Sequence, residues 1–317
     1  MTSISASHTK TATATGASYP PGEILHRVLL AAAIIAAASL ILFLAVHGFS
    51  YYLLGLEERP FSPMHAQLRS SGTIGLRLGI LSLIMFGILF LYPLRKRWRW
   101  LSTIGSTRRW LNFHVFFGIT TPMVVTFHTA FKWNGVAGLA YWIMIAVALS
   151  GFVGRYVYAK MPRSLNSVTL SMADLETQMA ALAARLRDQS LFRAEDLAPL
   201  LEVPPAQAIR EMNTVFMLWN MLRMDLQRPF QVSRLRRRVL SGPQKLLTLG
   251  GLLASRNEDL ELIIFHARRQ SRLRAAVAFL DRTSRIFHLW HIIHRPFSVS
   301  FVALLLVHIG VVLSVGL

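Results

Sequence analysis

The sequence predicts an all-α membrane protein: a five-transmembrane-helix bundle with a helical cytoplasmic insert between spans four and five. Three observations carry this. The chain of 317 residues is 53% apolar with a mean hydropathy of +0.45, above the range of ordinary soluble domains. Five apolar runs are each long enough to cross a bilayer. The charge of +19 is concentrated between those runs.

In order, residues 1–22 are rich in Thr, Ser and Ala without periodicity and read as a disordered tail. Residues 23–158 hold spans one to four. The run Ile24–Val46 is too long and too far from the start for a signal peptide, so it reads as an uncleaved first span. A connection over 48–71 carries two glutamates and two prolines. Span two covers about Thr73–Leu94 and opens on Gly75 and Gly79, a GxxxG that permits close helix approach or makes room for a flat ligand. Span three is Trp110–Trp133, with Pro122 expected to kink it. Span four follows Asn134-Gly135 and reaches Tyr158. Span five, within 291–317, starts at about Pro296.

Loop 95–109 has six cations and no anion, which places it in the cytoplasm by the positive-inside rule. The N-terminus and the insert, residues 159–290, are then cytoplasmic and the C-terminus outside. The insert predicts a helix capped by Ser171 and Asp174 that runs on to Leu186. A second helix opens at Pro204-Pro205, and a last runs from Asp259 to Phe287. Its basic balance suits a cap on anionic membrane lipids, or a docking surface for an electron-exchanging partner. No P-loop or dinucleotide glycine fingerprint is present, and no nucleic-acid partner is expected.

Span three contains His114 and His128, fourteen residues apart; span five contains His294 and His308 at the same interval. Fourteen residues of α-helix advance roughly 1400°, about 40° short of four turns, so both imidazoles of a pair share one face roughly 21 Å apart. Spans three and five run in the same direction, which sets His114 with His294 at the inner depth and His128 with His308 at the outer. Iron porphyrin takes axial imidazoles and suits an apolar slot. Without cysteine, thiolate ligation, cysteine-ligated clusters and covalent c-type attachment within the chain are excluded.

A lone histidine in a span is as well read as a packing residue; four at one spacing are specific. His47 and His65 lie at the outer face as solvated residues or proton carriers beside a quinone. His291 leans to the His294 face, and His8, His26, His266 and His288 read as surface residues. Haem propionates call for cations. Arg77 is the candidate at the outer haem and Arg155 or Arg109 at the inner, with snorkelling to lipid phosphate as the alternative. Gly118 and Ser298, each one turn from a histidine, are small enough for a porphyrin edge. Gly151 and Gly154 do the same or pack helices.

The paired histidines on the third and fifth spans resemble those of dihaem b-type membrane cytochromes, in topology the ferric-reductase-like membrane domain shared with NADPH oxidases. His114, His128, His294 and His308 match that motif. The resemblance also extends to the H-x13-H pairs of quinol-oxidising cytochrome b, without the Pro-Glu-Trp-Tyr motif, and covers the spans but not the insert. It implies two haem b groups and an electron-transfer subunit of a membrane oxidoreductase. With five spans and no flavin or nicotinamide domain in the sequence, it implies a separate redox partner subunit or a quinone as exchange partner. A quinone-reactive anchor subunit is the near alternative. A histidine-lined metal or proton transporter, or a scaffold with packing histidines, are the alternatives of other classes.

Overall fold

The computed structural model describes residues 21–161 and 172–315. The expected tail and the Ser171 cap lie outside them, apart from the last two tail positions, which open the first helix. The described residues form thirteen α-helices and one 3-10 turn, with no strand. Five segments are long and apolar enough to cross a membrane: Gly22–His47, His65–Arg95, Thr107–His128, Gly135–Lys160 and Glu258–Val315. Many of their large apolar side chains are exposed, as a lipid-facing surface requires.

The chain divides into two compact units, Met1–Ala148 with Ser300–Leu317, and Leu149–Val299. The first contains α1 (Pro21–His47), α2 (Phe49–Leu53), a 3-10 turn (Arg59–Phe61), α3 (His65–Leu68), α4 (Thr73–Arg95), α5 (Arg99–Ser102) and α6 (Thr107–His128). It also takes the first part of α7 (Gly135–Lys160) and the end of α13 (Glu258–Val315). Its core joins Leu44 of α1, Leu78 and Met85 of α4, and Val124 and Phe127 of α6. A second cluster packs Phe86 on Tyr141, Met144 and Phe301.

Two buried arginines shape the loops of this unit. Arg95 donates to Thr107 Oγ1 at 2.9 Å and to the carbonyls of Ser102 and Gly105 at 2.8 Å each. One of the six cations of the basic loop therefore folds that loop instead of facing lipid. Arg59 donates to the carbonyls of Leu54, Tyr52 and Ala130. Ala130 and Phe131 have φ of 49° and 60°, a left-handed turn that residues with a Cβ adopt at a cost. Arg59 holds the carbonyl of that turn, and α6 stops at His128, five residues short of the expected span.

The second unit contains the rest of α7 and α13 with α8 (Met172–Arg187), α9 (Ala194–Leu201), α10 (Ala206–Glu211), α11 (Thr214–Val239) and α12 (Gly242–Leu247). The helix expected to open at Pro204-Pro205 is two, α10 and α11, because Asn213 caps a new start by accepting from the Phe216 N–H at 2.7 Å. Met217 and Met221 of α11 pack on Val157 of α7 and on Phe279 and Ile286 of α13. Asp225 of α11 binds Tyr156 Oη at 2.8 Å, Lys160 Nζ, and Arg228 Nη1 at 2.6 Å, tying α11 to the end of α7.

The expected break between the last insert helix and span five is absent. α13 runs unbroken from Glu258 to Val315 with Pro296 inside it. Proline at a helix start and proline inside a helix look alike in sequence; inside, it removes one hydrogen bond and leaves the rest of the ladder in place.

Candidate functional site

In the first unit, α4 and α6 meet the two span-three histidines in one register. His128 Nδ1 lies 2.8 Å from the Gly75 carbonyl, and His114 Nδ1 lies 3.1 Å from the Leu89 carbonyl. Gly75 and Leu89 are themselves fourteen residues apart, so the carbonyls on α4 repeat the histidine interval in the opposite chain direction. A carbonyl only accepts, so each Nδ1 carries its proton and each Nε2 keeps the lone pair through which an imidazole can bind metal. Iron-ligating histidines are commonly set this way, with the second nitrogen bonded to a carbonyl that fixes tautomer and ring orientation.

Local sequence explains both acceptors. Leu89 would normally accept from the N–H four residues on, but that residue is Pro93, which has none. At the other level the GxxxG brings the helices together. A Cβ on Gly79 would stand 2.7 Å from His128 Cε1, and one on Gly75 would stand 2.0 Å from the Arg69 carbonyl oxygen. These glycines seat an imidazole and a loop. Tyr92 packs beside His114 with ring centres 5.0 Å apart. His308, half-buried on α13, lies within electrostatic reach of His128.

In the second unit, His294 Nδ1 is 2.7 Å from Ser150 Oγ. Trp290 stacks on the His294 ring at 4.9 Å and donates Nε1–H to the Ser150 carbonyl at 2.8 Å. Gly154 leaves the space Trp290 fills: a Cβ there would lie 2.1 Å from the indole. Gly151 faces His294 Cε1 at 3.9 Å from its Cβ position. The SGFVG stretch thus packs helices through Trp290 and sets the His294 ring.

The other candidates are placed as follows. Arg77 is exposed on α4, two residues from both Gly75 and Gly79 and so roughly 160–200° around the helix from them. Arg109 reaches Glu23 Oε2 at 3.6 Å, and Arg155 is half-buried on α7. A Cβ on Gly118 would meet only Leu89 Cδ1, at 3.9 Å. Ser298 Oγ donates to the carbonyl of His294 at 2.7 Å. His65 Nδ1 is 3.0 Å from the hydroxyl of buried Tyr51, and His47 is exposed beside Phe43. His26, expected at the surface, is buried, with Nε2 3.2 Å from Asn112 Nδ2 and Phe113 edge-on. His8 lies outside the described residues.

Sequence reasoning passed over Leu89, Ser150 and Trp290. Pro93 was the available signal for the first, since a proline inside a span frees the carbonyl four residues earlier. Among the described residues no three His, Asp or Glu side chains gather as a metal site. Axial haem ligation does not need such a cluster, because the macrocycle supplies the other four ligands. The imidazoles of His114 and His128 fit that role in tautomer and support. Compared with protein-family models, curated proteins and solved structures, the chain gives no match.

Proposed function

We propose that this chain is a dihaem b-type cytochrome subunit that passes electrons across a membrane between a redox partner and a quinone or other acceptor. One observation carries the reading. Both span-three histidines spend Nδ1–H on backbone carbonyls of the same neighbouring helix, fourteen residues apart, and both keep Nε2 for iron. His128 and His308 would hold an outer haem. The pairing of His114 with His294 for an inner one rests on their sequence spacing.

Haem, when bound, supplies one-electron chemistry. The chain's own work is to hold and orient. The α4 carbonyls fix the rings of His114 and His128, and Ser150 with Trp290 fix that of His294. A haem held by a histidine from each of the two helices would have no position open for dioxygen, which would suit a relay and not a catalyst. On this reading loop 95–109 and the insert would face the cytoplasm, as their charge bias suggests, with a bacterial plasma membrane as the proposed setting.

A reduced-minus-oxidised spectrum of the purified protein, with haem quantified per chain, tests this. Two six-coordinate b haems are expected, falling to one in His128→Ala. A preparation with no Soret band would replace the reading with a histidine-lined transporter, and two haems retained in His128→Ala would overturn the ligand assignment.

A further inference from the structure

The helix α11 has two apolar faces and buries only one. Met217, Met221, Val232 and Leu235 point inward. On the other side Val215, Trp219, Leu222, Leu226 and Phe230 remain exposed, Val215 at 78%, Leu226 at 58% and Phe230 at 62%. At 100° per residue these five fall within an arc of roughly 80°, a continuous stripe along the outer face. Near its C-terminal end stands the turn around α12, where Leu246 and Leu247 are each 81% exposed. The Arg237 guanidinium binds the Gly250 carbonyl at 2.5 Å and joins the two.

Cations edge the stripe. Arg223 and Arg234 are exposed along one side and Arg237 closes its end. Apolar stripe, aromatic residues and basic flank together define a helix that lies in the plane of a membrane surface. Location agrees. The buried face of α11 packs on Val157, and Asp225 is bonded to Lys160, both at the end of the fourth candidate span, where a bilayer-crossing helix of that length would reach the headgroups.

We infer that α11 and the α12 turn form an in-plane docking surface for the anionic leaflet of the protein's own bilayer. The stripe enters the headgroup–acyl boundary, and Arg223, Arg234 and Arg237 meet lipid phosphates. The basic insert is then a membrane-bound platform. This does not depend on the haem reading, because its test needs no cofactor signal.

The chain has no cysteine, so a single introduced thiol can be labelled cleanly. Full-length Leu226→Cys, Phe230→Cys and Leu246→Cys, with exposed Glu176→Cys as reference, are spin-labelled and placed in nanodiscs of phosphatidylcholine and phosphatidylglycerol. Collisions with oxygen, which dissolves in lipid, are compared with those of a water-soluble nickel chelate. The three stripe labels should favour oxygen several-fold over the Glu176 label. Arg223→Glu with Arg234→Glu should reduce that preference. Nickel access equal to that at the reference overturns the inference. So does shielding from both reagents, which means a protein partner covers the stripe, or a preference unmoved by charge reversal. Three separate labels keep the result decisive if one variant fails to fold.

Discussion

Pro93 stands four positions after Leu89 on α4, and the Leu89 carbonyl that it cannot engage accepts the Nδ1–H of His114. A residue that looks like a helix defect thus supplies the acceptor for a candidate haem ligand. Replacing it by alanine restores a competing N–H. Pro93→Ala is expected to keep the fold and to weaken haem retention at the His114 level by on the order of tenfold, the usual effect of losing a second-layer partner. Haem titration of the apoprotein measures this. Equal affinity in both proteins would mean the carbonyl does not support the ligand.

Gly79 and Gly87 lie on the same helix and give a controlled pair. A Cβ at Gly79 meets the His128 ring at 2.7 Å, while at Gly87 nothing lies within 4 Å. Gly79→Ala should displace the imidazole, cost about 1–3 kcal/mol through overpacking, and lower haem content toward one per chain. Gly87→Ala should leave the haem content of the native protein unchanged and gain about 0.5–1 kcal/mol from helix propensity. Pyridine haemochrome assays and thermal unfolding in detergent read the two effects.

Arg59 is buried and bonded only to backbone carbonyls among the described residues. Arg59→Met keeps the volume but strands those carbonyls, including Ala130 in the left-handed turn after His128. A loss of about 2–4 kcal/mol is expected from the unpaired acceptors. Arg59→Lys, with a single ammonium, should recover only part of it. Full stability in Arg59→Met would show that water serves the carbonyls equally well.

Burial, with a smaller contribution from Tyr51, pushes the Tyr52 phenol up to about 12. Its hydroxyl has no hydrogen-bond partner among the described residues. A raised acid favours the folded state while neutral. This contribution is complete below the ordinary tyrosine value near 10 and is lost as pH rises from there toward 12. Melting temperature should therefore fall over that window in the native protein and fall less in Tyr52→Phe. Near pH 7 Tyr52→Phe should be neutral or slightly stabilising, since it removes a buried hydroxyl left without a bond.

What was legible in the sequence follows from helix geometry. Fourteen residues come close to four turns, so H-x13-H marks one face before any coordinates exist, and long apolar runs declare candidate spans by length alone. The acceptors behind the histidines were hidden because backbone carbonyls have no residue identity; only Pro93 betrayed one of them. Trp290 was hidden because the glycine that admits it, Gly154, has several possible uses. The continuity of α13 was missed since Pro296 marks a start as readily as an interior. His26 was misplaced because one histidine near the end of an apolar run carries no sign of the Asn112 that faces it.

The matched clasps between α4 and α6 work like a vernier. Leu89 with His114 and Gly75 with His128 are two marks on two antiparallel scales, aligned at both places together. Deleting a single residue between the marks on either helix would leave one mark aligned and turn the other aside by roughly 100°. The length of the stretch between them is therefore fixed, unless both helices lose or gain residues in step.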